Sequence, residues 1–369
     1  MRIGLIIDTF NIGGAETMVF ETAKLLKDDG HTPVLLHFGS DYVSTFCIQE
    51  NIEHHLIPNR RFYKKTVLLP FFALKTRSFV KNLKLDCLHA HLFGPIVAFA
   101  PLAWMSKLAF VGTLHDEYMV KDAPHRVVLL KIALMLKAKL VTVSNPMKAF
   151  YVKTLNCKGE KITYIPNCTR LNENLKSRQS IRESLGLQDQ DIAIITVGRL
   201  VQLKRFDIFI DALAGLNNQH SLKAFIVGDG PEHDKLEHQL TSLGLNNTIN
   251  MLGERDDVEE LLAAADIFTL TSETEGMSKS ILEALAANLP VVATNVGGNK
   301  DLVIHEKNGY ILEDHSPSSL TQRIEILIQD SKLRSNMGDE SRKLVESEYN
   351  PEVFLNRHLA IYKQTIEKG

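Results

Sequence analysis

Two glutamates, Glu275 and Glu283, bracket the run Gly276-Met277-Ser278-Lys279-Ser280-Ile281-Leu282. Carboxylates at the mouth of a sheet accept hydrogen bonds from sugar or ribose hydroxyls, and backbone N–H groups at a helix start hold a phosphate. Upstream, Gly198-Arg199-Leu200-Val201-Gln202-Leu203-Lys204 sets two cations a short loop apart. Fixed positive charge stabilises a departing diphosphate as negative charge accumulates on it, with no metal required. Histidines are a third resource: His89, His91 and His115 each carry a group able to hydrogen-bond a sugar or exchange a proton. Taken singly, each has a bland reading as a solvated glutamate, a surface ion pair or a packed imidazole. Their order along the chain has to decide.

These residues need elements to hold them. Asp266–Leu270 and Pro290–Thr294 read as strands, and Ser278 is an N-cap for a helix whose Ile281, Leu282 and Leu285 have the spacing of a sheet-packed face. Glu275 then sits at a strand's carboxyl end and Glu283 on the helix. Ile192–Val197 is the strand before Arg199, with a helix from Phe206. Asp86–Ala90 and Ala109–Leu114 are strands that run into His89, His91 and His115. At the amino end, Arg2–Ile7 leads through Asn11-Ile12-Gly13-Gly14-Ala15-Glu16 into a helix over Glu16–Lys27, a glycine loop that lets backbone N–H groups approach an anion. It is equally the composition of a tight turn. The loop is not G-x-G-x-x-G, and Pro33–Phe38 ends in Gly39 without the acidic residue that holds a dinucleotide ribose, which argues against a nicotinamide oxidoreductase. Asp189-Gln190-Asp191 has the spacing of a metal-binding D-x-D, but it precedes its strand, so a solvated turn is expected there.

Strand–helix alternation runs through two stretches, 1–170 and 191–350, separated by a polar linker at 171–190. The expected fold is α/β with two doubly wound domains, and 369 residues suit two cores better than one. A hydrophobic share of 44% and a charged share of 23% describe an ordinary globular chain. The net charge of −2 hides an asymmetry: residues 1–180 hold 24 basic and 14 acidic side chains, residues 181–369 hold 18 and 30. Two oppositely charged halves point to different partners for each. Arg60–Lys84 has eight basic residues and no acidic one around Val67, Leu68, Leu69, Phe71, Phe72 and Leu74. That composition fits an interfacial helix on an anionic membrane, or a helix that buries its apolar residues and solvates its lysines. Cys47, Cys87, Cys157 and Cys168 have no metal or disulfide spacing, the longest apolar run (Leu92–Met105) is too short to span a bilayer, and the first residues enter a strand directly. A cytosolic chain is expected, at most peripheral at the inner face of the cytoplasmic membrane.

The motifs taken together resemble glycosyltransferase family 4. Glu275 and Glu283 in Glu-Gly-Met-Ser-x-Ser-Ile-Leu-Glu-Ala look like its E-x7-E signature, Gly198–Lys204 like its Gly-Arg-x4-Lys clamp, Gly228-Asp229-Gly230-Pro231 like its turn, Thr113-Leu114-His115-Asp116 like its strand-end histidine, and Gly13-Gly14-Ala15-Glu16 like its amino-terminal loop. At Pro166-Asn167-Cys168-Thr169 the chain departs from the family's Pro-Asn-Gly hinge, so no ligand role is carried there. The resemblance implies the GT-B fold, two Rossmann-like domains facing a central cleft, with the final helix 351–369 packing back on the first. It implies transfer of a hexose or N-acetylhexosamine from a nucleoside-diphosphate sugar, UDP favoured over GDP, to a glycan or lipid-linked acceptor. The configuration would be retained and no metal or other cofactor used. The catalytic residues it implies are Arg199, Lys204, Glu275 and His115. The implied donor contacts are Gly13, Gly14, Arg199, Lys204, Arg255, Glu275, Gly276, Met277, Ser278 and Glu283, with Arg255 beside the nucleotide base. Cell-surface polysaccharide synthesis is the expected setting, and no nucleic-acid partner is implied. The alternatives are a same-fold sugar-nucleotide epimerase or phosphorylase and a non-catalytic nucleotide-sugar-binding protein.

Overall fold

A computed structural model of the chain describes residues 1–8, 13–63, 65–172, 176–216 and 221–368. Asn11 and Ile12 of the glycine loop, Lys64 of the basic segment, and Glu173 and Asn174 of the expected linker lie outside the described residues. The chain divides into two compact units, Met1–Asn167 with Pro351–Gly369, and Cys168–Asn350.

The first unit is built on a parallel sheet in the order β3-β2-β1-β4-β5-β6-β7, with β1 Arg2–Ile6, β2 Thr32–His37, β3 Glu53–Leu56, β4 Cys87–His91, β5 Ala109–Leu114, β6 Lys139–Thr142 and β7 Ile162–Tyr164. Its central strands are buried on both faces, as a sheet covered on each side by helices requires. The helix Pro351–Lys368 belongs to this unit and lays Phe354, His358, Leu359, Ile361 and Tyr362 against it.

The second unit repeats the plan in the order β10-β9-β8-β11-β12-β13, from β8 Ile192–Val197, β9 Leu222–Val227, β10 Ile249–Met251, β11 Ile267–Leu270, β12 Val291–Thr294 and β13 Gly309–Leu312. Its pairings are parallel, and one core cluster joins Leu200, Phe206, Phe209 and Ile210 to Ile226, Leu320 and Leu327. In both sheets the order reverses beside the first strand of the unit, which brings the loops after β1 and β4, and after β8 and β11, to the carboxyl ends where ligands of such sheets bind.

Two expectations are corrected, and one left open is narrowed. The stretch read as a linker holds a helix, Arg178–Ser184, capped by Ser177. Arg178 and Arg182 from it reach Asp266 at 2.7 and 3.2 Å and the carbonyls of Ala263, Ala264 and Ala265, which fastens it to the second unit. Asp191 is not solvated: it is buried at the amino end of β8, where its carboxylate accepts hydrogen bonds from Gln188 N–H and the Ser221 hydroxyl. In the basic segment, the helix Leu69–Asn82 buries Leu69, Phe72 and Ala73 but leaves Phe71 and Leu74 57% and 59% exposed, with Val67 just before it at 85%. Of the six apolar residues read either as an interfacial face or as core, Val67, Phe71 and Leu74 face outward.

Candidate active site

The second unit assembles its site from the loops after β8, β11 and β12. Gly198 ends β8, its N–H donating to Val227 O at 2.9 Å. Gly228 follows β9 at φ +130°, where a β-carbon would lie 2.0 Å from the Gly198 carbonyl oxygen, so only glycine permits the two turns to touch. Leu200 is fully buried and pins the loop, leaving Arg199 beside it exposed, with no side-chain partner among the described residues. A single 3-10 turn, Gln202–Lys204, then precedes Arg205, whose left-handed backbone opens the helix Phe206–Ala214.

The β11 loop is stitched to this one. Thr271 Oγ1 donates to the carbonyls of Lys204 and Arg205 at 3.1 and 2.7 Å, and Glu273 N–H donates to Leu203 O at 2.8 Å. The stitching brings Lys204 Nζ to Glu275 Oε1 at 2.6 Å, with the side chains 23% and 11% exposed. Ser272 Oγ donates to the same carboxylate oxygen at 2.7 Å. From β12 comes the floor: Gly297, at φ +49°, leaves no room for a β-carbon beneath the Glu275 carbonyl, and Gly298 N–H donates to Gly276 O at 2.9 Å. Met277 and Ser278 are buried, and the Ser278 hydroxyl accepts from Ile281 N–H as the N-cap of the helix Lys279–Ala286. Glu283, one turn further on, pairs with Lys279 at 2.7 Å.

Of the expected residues, Arg199, Lys204, Glu275, Gly276, Met277, Ser278 and Glu283 therefore share one set of adjoining loops. Arg255 does not join them. It follows the edge strand β10, separated from β11 by β9 and β8, and its guanidinium makes two hydrogen bonds to Asp257 at 2.7 and 2.8 Å. Sequence reasoning missed Ser272, Thr271 and Lys279, which hold the two glutamates and the clamp loop. Ser272 and Thr271 had one signal, their place directly after the apolar residues of β11. A cavity of about 310 Å³ lies behind the clamp loop between Gln202, Arg205, Asp207, Glu232, Lys235 and Glu273. Its charges are already paired with one another, Arg205 with Asp207 and Glu273, and Lys235 with Glu232. Among the described residues, His233, Asp234 and Glu237 stand close enough together to share a metal ion, but they face solvent on a helix outside these loops.

In the first unit, Gly13 and Gly14 are exposed at the start of the helix Gly14–Asp28. His115 follows β5 and is partly exposed, with its Nε2 3.1 Å from Nδ1 of His91. Burial and the neighbouring His358 push its pKa down to about 4, so it is neutral at pH 7. His89 and His91 are fully enclosed. His89 is held between the Tyr362 and Thr113 hydroxyls at 2.8 and 2.7 Å, which makes it a packed imidazole rather than a ligand contact.

Comparisons with known proteins match both halves of the chain. The model of glycosyl transferases group 1 matches residues 177–344, and that of glycosyltransferase family 4 matches residues 12–173. The N-acetyl-alpha-D-glucosaminyl L-malate synthase of Bacillus anthracis is 25% identical over 367 residues, 96% of this chain and 95% of that one. The phosphatidylinositol N-acetylglucosaminyltransferase GPI3 subunit of Saccharomyces cerevisiae is 25% identical over 336 residues, 87% and 74% of the two chains. Anabaena HepE in complex with UDP superposes with a TM-score of 0.84 at 23% identity, over 99% of this chain and all of that one. A glycosyltransferase from Rickettsia africae gives 0.87 at 22%, over 100% and 99%.

Proposed function

This chain belongs to the group 1, family 4 glycosyltransferases, and from that premise we propose that it moves a hexose or N-acetylhexosamine from a nucleoside-diphosphate sugar to a hydroxyl of a glycan or lipid-linked acceptor. It is an enzyme, and its two parallel α/β units are the domains of a GT-B fold. One observation carries the proposal: the loops after β8 and β11 hold an arginine with no side-chain partner among the described residues, a lysine and a carboxylate beside the start of a capped helix. In the proposed reaction the anomeric C–O bond to the diphosphate breaks with its electron pair moving onto the phosphate oxygen. Arg199 and Lys204 stabilise that charge, helped by the helix dipole beginning at Lys279. The acceptor oxygen attacks from the same face, and its proton passes to the departing phosphate, so configuration is retained. Freed from Lys204, Glu275 accepts hydrogen bonds from the donor sugar, and Glu283 accepts them from the ribose. His115 is carried over as a further contact of the sugar, and Gly13 and Gly14 as the open approach for acceptor and phosphates. Two cations on the leaving group make a divalent metal unnecessary, so we propose activity in EDTA.

A uridine nucleotide is favoured because fold neighbours include complexes with UDP and with UDP-glucose. An acceptor in cell-surface glycan synthesis at a membrane is supported by the outward Val67, Phe71 and Leu74 beside Lys65, Lys75 and Lys81. Among the described residues no helix is long and apolar enough to cross a membrane. We propose that the contact is peripheral and at the cytoplasmic face. The test is thermal stabilisation by UDP-, GDP-, ADP- and TDP-sugars in EDTA, for the wild type and Glu283→Ala. A ligand at a hundred times its dissociation constant adds about 2.7 kcal/mol. A shift with one nucleotide series, lost in the variant, is expected; no shift with any series overturns the donor reading.

A further inference from the structure

The imidazoles at the carboxyl ends of β4 and β5, with His358 packed against them from the final helix, are only partly used by the proposed reaction. Most are satisfied by ordinary partners. His89 lies between two hydroxyls, and His358 Nδ1 donates to Phe354 O at 3.0 Å. His91 differs. Its Nδ1 faces His115 Nε2 at 3.1 Å, while its own Nε2 is buried with no hydrogen-bond partner among the described residues. His115 has no partner for Nδ1 among the described residues, and its side chain is partly exposed.

One proton lies between two neutral rings, and only two arrangements exist. If His115 donates from Nε2, His91 must carry its proton on the orphaned Nε2. That leaves a buried N–H without an acceptor, which proteins almost never tolerate. If His91 donates from Nδ1, the orphaned atom is a bare lone pair, the lesser cost, and His115 must carry its proton on Nδ1. Burial keeps both rings in the neutral form in which this choice arises. The hydrogen bond at one ring nitrogen of a histidine sets the state of the other.

We propose that His91 is a positioning residue that holds His115 in its Nδ1–H form, so that His115 presents a hydrogen-bond donor outward. Its catalytic meaning rests on the reading of His115 as a sugar contact, but its test does not. With Nδ1–H outward, His115 recognises a hydroxyl or phosphate oxygen that accepts, and it cannot serve as a base through that atom.

Two-bond proton–nitrogen correlation spectra of the 15N-labelled full chain at neutral pH read the tautomer directly, with His115 assigned by the signals lost in His115→Gln. In the wild type, Nδ1 of His115 should be the pyrrole-type nitrogen and Nε2 the pyridine-type. His91→Asn, whose amide keeps a donor where Nδ1 stood, should preserve that pattern. His91→Leu should exchange the two, since an unrestrained imidazole favours Nε2–H. A wild-type His115 protonated on Nε2 overturns the proposal, as does an unchanged pattern in a folded His91→Leu. Should His91→Leu not fold, the wild-type spectrum decides alone. No nucleotide is present in this experiment, so its failure leaves the donor reading standing, and a failed nucleotide screen leaves the tautomer measurement valid.

Discussion

Lys204 and Arg199 are both cations at the end of β8, yet the protein holds them differently. Lys204 is joined to Glu275 in a largely enclosed ion pair, whereas Arg199 is exposed with no partner among the described residues. Removing one member of an enclosed pair strands the other charge. Lys204→Ala should therefore lose stability as well as turnover, and Glu275→Gln in the same background should recover the stability alone. Arg199→Ala should melt like the wild type, since isolated surface changes stay within about 0.5 kcal/mol. Both single variants should still fall on the order of 10²–10³ in kcat, the cost of one lost transition-state donor. Melting curves and kcat with the donor found in the nucleotide screen check this, and an Arg199→Ala enzyme at near-normal turnover would remove it from the clamp. Strand ends and the helix start legible in the sequence were enough to bring Arg199, Lys204, Glu275 and Glu283 onto adjoining elements. Arg255 was placed beside the nucleotide base by the resemblance, and its pairing with Asp257, two positions on, depends on side-chain direction that spacing does not reveal.

Helices are where pattern and packing part company. In Leu69–Asn82 every apolar residue looks alike in a one-dimensional reading, but only one stripe meets the helix Phe93–Ser106, and Phe71 and Leu74 lie on the other side with Val67 above them. The same neighbour also packs against the helix Arg126–Met135, which exposes Val128, Ile132 and Met135. Outward apolar residues thus recur along a strongly basic part of the first unit, and the membrane contact proposed above would use this face. Flotation should recover the protein with phosphatidylglycerol vesicles at low salt, and recovery should fall at high salt as exposed charges are screened. Val67→Ser/Phe71→Ser/Leu74→Ser should cut recovery several-fold without lowering the melting temperature, because these side chains have little burial to lose. Equal recovery with neutral vesicles, or an unaffected triple variant, would show that the face does not bind membrane. The helix Arg178–Ser184 escaped notice for the opposite reason. It is short and polar, and its anchors are arginines that hydrogen-bond to carbonyls and Asp266 more than 80 positions away.

At the scale of the whole molecule the chain leaves its first unit at Asn167 and re-enters it at Pro351. The resemblance implied that return, and amphipathic spacing marked the helix, but neither revealed that it carries His358 and Tyr362 into a buried polar group with His89, His91 and Thr113. The contact between His89 and Tyr362 spans 273 positions, beyond any local pattern. It has a thermodynamic consequence. Burial pushes His358 down to about 4, burial and His358 do the same to His115, and burial lowers His89 and His91 well below the ordinary 6.5. Between about pH 6.5 and 4 the unfolded chain binds more protons than the folded one, so stability is full above that window and is lost as pH falls through it. Each such histidine contributes a slope of up to about 1.4 kcal/mol per pH unit. The loss belongs to the first unit, which holds all of these histidines. Trp104, the sole tryptophan, lies in the first unit's helix Phe93–Ser106 and reports on that unit alone. From pH 7.5 to 5.5 the melting midpoint seen by tryptophan fluorescence should drop further than the later part of the far-ultraviolet circular dichroism transition. His358→Phe, which keeps the aromatic volume and removes one titrating ring, should shallow that dependence by roughly one histidine's share. A tryptophan-reported midpoint that stays fixed over this range would mean that the buried imidazoles accept protons without leaving the fold. The helix Pro351–Lys368 would then be held by its apolar face alone, not by a polar group that must stay neutral.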